Sequence, residues 1–167
     1  MEWVTFPIMK TKTLMRYTSV LILLGGVAAA AQTPADIVKW TASVPKTVGS
    51  PPLISATITA HVAAGWHIYA PTQAPGGPTA MTFRIPDGQP FSIVGNPKGS
   101  PPLKKRDENF QMQTEAYLGT AKFILSIKKT SGSVTGAVPI DVRFQVCNES
   151  LCLPPTTVHL EAVPSAR

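Results

Sequence analysis

The sequence predicts an all-β chain, and three observations carry that expectation. Seventeen prolines and twelve glycines in 167 residues interrupt helices and punctuate turns. Ile54, Ala56, Ile58, Ala60 and Val62 alternate with Ser55, Thr57, Thr59 and His61, the period-2 pattern of a half-buried strand. A helical turn fits Pro34–Ile37, but nothing downstream holds a 3.6-residue period for long. Further strands are expected over residues 38–44, 81–85, 91–94, 116–127, 140–146 and 156–162, each bounded by Pro or Gly. Turns are signalled by Pro86-Asp87-Gly88 and Ser131-Gly132-Ser133, and extended starts by Pro51-Pro52 and Pro101-Pro102. Seven or more short strands imply two packed sheets, so the expected architecture is an immunoglobulin-like β-sandwich of antiparallel strands.

Residues 1–31 read as a secretory signal. Lys10, Lys12 and Arg16 precede an apolar run from Val20 to Val27, and Ala29 and Ala31 satisfy an A-x-A cleavage rule before Gln32. The unbroken apolar run is shorter than the roughly 20 residues needed to cross a bilayer, which disfavours an uncleaved anchor. The expectation is a single domain over 32–167, soluble and located in the periplasm or secreted after cleavage near Ala31/Gln32. Removing the leader takes three of 15 cations and one of nine anions, leaving 12 against 8 and a charge of +4. So sparse a charge set gives no reason to expect a nucleic-acid partner. No Ser/His/Asp order, paired carboxylates or phosphate-cradling loop stands out, so hydrolase and nucleotide chemistries have no anchor and no cofactor is expected.

Chemistry is left to two cysteines, Cys147 and Cys152, separated by four residues and followed by Pro154-Pro155. A bridge between them would close only a local ring worth about 2 kcal/mol, less than a long-range disulfide contributes. A short-span pair at a strand end invites a redox reading. A static structural disulfide in a non-catalytic binding sandwich is the alternative. Metal binding is disfavoured, because Cys147, Cys152 and His159 make at most three ligands.

The segment Val142-Arg143-Phe144-Gln145-Val146-Cys147-Asn148-Glu149-Ser150-Leu151-Cys152-Leu153-Pro154-Pro155 resembles the cysteine motif of the N-terminal periplasmic domain of the thiol:disulfide interchange protein DsbD. Gly65-Trp66-His67-Ile68-Tyr69, Gly76-Gly77-Pro78-Thr79, Thr82-Phe83-Arg84-Ile85-Pro86-Asp87-Gly88 and Tyr117-Leu118-Gly119 resemble that family in the same order, so the resemblance spans about residues 37–163. It implies an immunoglobulin-like domain that relays reducing equivalents. A thioredoxin-like donor domain would regenerate the Cys147/Cys152 dithiol, which would then reduce oxidised periplasmic thiol proteins. The family's full-length protein continues into a membrane region and a thioredoxin-like domain, whereas this chain stops at Arg167. Either those parts reside on separate proteins, a membrane electron carrier among them, or the domain serves another role.

The resemblance also implies a cap over the cysteines. Asp107-Glu108-Asn109-Phe110 resembles the family's cap loop, with Phe110 as the covering aromatic, and residues 111–116 make the loop look longer than the family pattern. A cover is physically reasonable, because an exposed dithiol in an oxidising compartment reacts with unintended oxidants. Asp107 and Glu108 would raise a nearby thiol pKa, while Lys104, Lys105 and Arg106 would lower it. The same charged run also fits a solvated loop. Alternation puts Trp66 and Ile68 on one strand face and His67 and Tyr69 on the other; Tyr69 is a candidate for lining the cysteine site. His67 has no cysteine or carboxylate near it in sequence and reads as structural, while His61 and His159 read as polar-face strand residues.

Overall fold

The computed structural model describes Met1 and residues 32–45, 53–130 and 137–165. The expected leader beyond Met1, the Pro51-Pro52 start and the Ser131-Gly132-Ser133 turn lie outside the described residues. A single helical turn, α1 (Pro34–Ile37), opens the domain, with Pro34 at its first position and the Thr33 N–H donating to Asp36 Oδ2. Eleven strands follow among the described residues: β1 (Val38–Val44), β2 (Leu53–Val62), β3 (His67–Tyr69), β4 (Thr82–Arg84), β5 (Phe91–Gly99), β6 (Leu103–Asp107), β7 (Met112–Tyr117), β8 (Thr120–Lys129), β9 (Val138–Phe144), β10 (Val146–Cys147) and β11 (Thr156–Pro164). No helix among the described residues is long and apolar enough to cross a membrane.

The strands form a seven-stranded sheet in the order β4-β9-β11-β1-β2-β8-β5 and a four-stranded sheet in the order β10-β3-β7-β6. In the large sheet β1 is the switch. It runs antiparallel to β2 from Val38↔Val62 to Ser43↔Thr57, then pairs in parallel with β11 at Ser43↔Val163 and Val44↔Pro164. That handover lets the sheet fold over itself, so the inward sets of β2 (Ile54, Ala56, Ile58, Ala60, Val62), β8 (Ala121, Phe123, Leu125, Ile127) and β9 (Val138, Ile140, Val142, Phe144) share one core. Trp40 on β1 bridges the layers, its ring centroid 6.4 Å from Phe123 and 5.1 Å from Phe144. Each Val, Leu, Ile or Phe side chain buried there contributes about 1.5–3 kcal/mol of apolar transfer, which makes this core the main source of stability. The fold is the expected all-β immunoglobulin-like sandwich.

Four features differ from the sequence expectation, each for a local reason. The single strand expected over 116–127 is two, because Gly119 takes a left-handed conformation (φ 62°) and carries the chain from the small sheet into the large one. Its carbonyl accepts from the Val62 N–H, which anchors the crossing. Lys104, Lys105 and Arg106 form no loop; they lie on β6, an edge strand on which charged side chains are tolerated and discourage further pairing. Since 112–117 is β7, the segment expected to be a cap is only the turn from Glu108 to Gln111, closed by Asp107↔Met112 pairing and by a positive φ of 54° at Gln111. Finally, β9 and β10 part at Gln145, whose Oε1 accepts the Thr79 N–H at 2.9 Å, and β10 passes to the small sheet.

Candidate functional site

The small sheet carries the cysteines. In β10, Val146 pairs with Ile68 and Cys147 with His67, while β3 continues through Tyr69↔Ala116 into β7. Cross-strand partners share a face, and faces alternate along each strand, so Cys147, His67, Tyr69 and Ala116 lie on one side of this sheet. Ile68 and Trp66 point the other way, into the sandwich core. The two-face split read from Trp66-His67-Ile68-Tyr69 is thus the split that the fold uses.

Cys147 and Cys152 are bonded to each other. They face one another across a tight hairpin: the Asn148 N–H donates to the Leu151 carbonyl at 2.9 Å and the Leu153 N–H to the Val146 carbonyl at 3.0 Å. Asn148 Oδ1 accepts the Ser150 and Leu151 N–H groups at 2.9 and 2.7 Å, an Asx turn that fixes the loop without a glycine. Cys147 is fully buried, whereas Cys152 is half-buried on the outer arm. A small cluster surrounds them: Tyr69, Ala116 and Cys147, with Phe110 and Cys152 packed against it. The Phe110 ring meets Tyr69 edge-on at 5.8 Å.

Asp107 is the unexpected centre of the site. The sequence marks it as a cap residue, and it is only 2 % exposed. Its Oδ2 accepts the Tyr69 hydroxyl at 2.7 Å and the Thr114 hydroxyl at 3.4 Å, and its Oδ1 accepts the Asn109 and Phe110 N–H groups at 2.9 and 3.4 Å. Burial pushes its carboxyl up, but the Tyr69 hydroxyl, the two amides and His67 outweigh that and hold it below the usual carboxylate range. Burial, reinforced by the bond to Asp107, pushes the Tyr69 hydroxyl well up, so it stays a donor. One buried carboxylate therefore shapes the turn that places Phe110 and orients the tyrosine beneath it.

Sequence reasoning did not find the place of His67 in the site or the links between the β6–β7 turn and the cysteine hairpin. His67, read as structural, is 3 % exposed and puts Nε2 3.6 Å from Asp107 Oδ2, with its ring edge-on to Tyr69 at 5.0 Å. Asn109 Nδ2 donates to the Asn148 carbonyl at 2.9 Å, and Lys105 Nζ pairs with Glu149 at 2.8 Å, so two links join the cap turn and β6 to the cysteine hairpin. Glu108, by contrast, is exposed on the turn and accepts from the Gln111 side chain. Lys104 pairs with Glu115 at 3.1 Å and Arg106 donates to Gln111 at 3.1 Å, which engages the remaining cations of the run. His159 sits on β11 of the large sheet, 2.6 Å from Asp141.

Comparison with known proteins agrees with this geometry. Residues 35–164 match the family described as thiol:disulfide interchange protein DsbD, N-terminal. The reduced N-terminal domain of DsbD from Neisseria meningitidis superposes with a TM-score of 0.52 at 15% identity, covering 78% of this chain and 87% of that one. The N-terminal periplasmic domain of ScsB from Proteus mirabilis gives 0.55 at 18% identity, covering 79% of this chain and 49% of that one. At these identities the two structures speak for the fold. No curated protein matches the chain.

Proposed function

The chain belongs to the family of N-terminal domains of the thiol:disulfide interchange protein DsbD, and from that premise we propose that it relays reducing equivalents outside the cytoplasm through a reversible Cys147–Cys152 disulfide. The observation that carries the reading is the asymmetry of the pair: Cys147 is sealed in the sheet and Cys152 lies on the outer arm of a surface hairpin. Exchange requires three sulfurs nearly in line, so the sulfur with open approach makes the intermolecular bond. In the forward step the Cys152 thiolate attacks a partner disulfide, forming a mixed disulfide and releasing one partner thiolate. Cys147, once deprotonated, attacks Cys152 Sγ, closes the internal disulfide and releases the second partner thiolate. Two electrons pass to the partner, and two protons complete its dithiol. A thioredoxin-like donor runs the same steps in reverse to restore the reduced domain.

Phe110 and Tyr69 are the lining of this reading. Phe110 packs against the cysteine cluster and limits approach until the turn moves. Export fits the chemistry, since a disulfide relay works where oxidised partners accumulate. Residues 1–31 would supply that export, and N-terminal sequencing of the exported protein reads the cleavage before Gln32 directly.

Single-cysteine trapping tests the asymmetry. With Cys147→Ala, a partner disulfide should capture Cys152 as a stable adduct. With Cys152→Ala, capture at the buried Cys147 should be at least tenfold slower. Equal capture at both positions contradicts the assigned roles, and capture at neither leaves the pair a static structural bridge.

A further inference from the structure

We propose that His67 is the proton acceptor for Cys147 in the step that closes the internal disulfide, with Asp107 holding the resulting imidazolium; this rests on the interchange reading above. Cys147 is fully buried, so its thiolate is costly to form and its proton needs a nearby destination. His67 stands directly across the ladder on the same face, which puts the two Cβ atoms about 5 Å apart.

His67 Nε2 is buried, and Asp107 Oδ2 at 3.6 Å stands just beyond hydrogen-bond distance, so the neutral ring is held only loosely at this atom. The groups around it are identifiable. Asp107 from β6 lies 3.6 Å away, Tyr69 packs edge-on from the same strand, and Lys105 on β6 with Glu149 of the cysteine hairpin act on it through space. Burial and Lys105 push the imidazole below its ordinary 6.5, so it is neutral and able to accept a proton at pH 7. Tyr69 already satisfies Asp107, and its bond keeps that carboxylate ionised. Once His67 is protonated, its Nε2–H gains the carboxylate as an ion-pair partner that the neutral ring uses poorly.

The step balances. The Cys147 S–H proton passes to His67. The Cys147 sulfur forms its bond to Cys152 Sγ as the Cys152–partner bond breaks, and the partner leaves as a thiolate. The imidazolium then returns its proton to solvent or to that thiolate.

A chromogenic aromatic disulfide resolves the two stages, because the reduced domain releases one aryl thiolate when Cys152 is captured and a second when Cys147 closes the ring. In the wild type the second phase should be flat above a midpoint lying below 6.5. In His67→Gln the second phase should be about 100-fold slower at neutral pH and rise about tenfold per pH unit toward the thiol's own pKa. Second phases with the same pH profile in both proteins overturn the assignment. Should His67→Gln fail to fold, nitrogen NMR of the wild-type imidazole decides: its titration midpoint in the aryl mixed disulfide must coincide with that of the second phase, and separate midpoints overturn the proposal. A wild type that shows no first phase contradicts the interchange reading itself, and the role of His67 falls with it.

Discussion

Asp107 ties the site together at the scale of single residues, and its ionisation should be visible in stability. Its folded pKa lies below the ordinary 3.8, so the unfolded state binds the proton first as pH falls. The stabilisation is complete above the unfolded pKa and is lost as pH drops through the folded one. Tyr69→Phe removes the closest donor to that carboxylate. It should cost about 1.5–3 kcal/mol at neutral pH, the range for a hydrogen bond to a charged group. It should also move the acid limb of the urea-midpoint profile to higher pH. An unchanged acid limb would mean that the amides of Asn109 and Phe110 alone hold the carboxylate. His67 has the same sign, since its folded pKa is also lowered. Stability linked to it is full above 6.5 and falls as the solution is acidified.

At the scale of elements, two hairpins meet: the β6–β7 turn bearing Phe110 and the loop between Cys147 and Cys152. Asn109 to Asn148 and Lys105 to Glu149 are links at the surface, where each contributes on the order of 1 kcal/mol or less. Lifting the turn, which also means releasing the Asn109 and Phe110 amides from Asp107, would leave the sandwich core untouched. Phe110→Ala should accelerate alkylation of the reduced protein by a small reagent at least threefold while the melting temperature shifts by only a few degrees. An alkylation rate indifferent to that change would remove Phe110 from the role of cover.

The same elements show why the sequence was legible in some places and silent in others. Strands β2, β8 and β11 announce themselves by alternation, because each has one face in the core and one in water. The β6 strand does not: Lys104-Lys105-Arg106 is polar on both faces, and only its pairing with β7 makes it a strand. The cysteine loop, Tyr69, Asp107 and Phe110 could be singled out through the family resemblance, and the fold brings them together. His67 could not, since its significance comes from Cys147 and Asp107, which reach it only through the β10–β3 pairing and the packing of β6. A histidine among apolar residues carries no local mark of the carboxylate that it will meet.

For the whole molecule, the core draws on both sheets, with Ile68, Tyr117 and Val146 reaching in from the smaller one, while the cysteines lie on that sheet's other face. The seven-stranded sheet folds around the apolar core, while the four-stranded sheet holds the disulfide at its edge strand β10. A core drawn mainly from β2, β8 and β9 should not depend on a local ring for its fold. The double variant Cys147→Ala/Cys152→Ala should remain folded, with a loss of about 2 kcal/mol set by the short loop that the bridge closes. Circular dichroism and urea unfolding check this, and a variant that cannot fold would make the bridge a structural element.

The measurement that bears most directly on the relay is the reduction potential of the Cys147–Cys152 bond, obtained by equilibrating the domain with a thioredoxin-like dithiol of known potential and quantifying free thiols by alkylation. Relay chemistry predicts a reversible equilibrium with a potential above about −300 mV, within reach of such donors. A bond that stays oxidised against the donor, with a potential well below that value, would contradict the relay and leave Cys147 and Cys152 as a fixed staple.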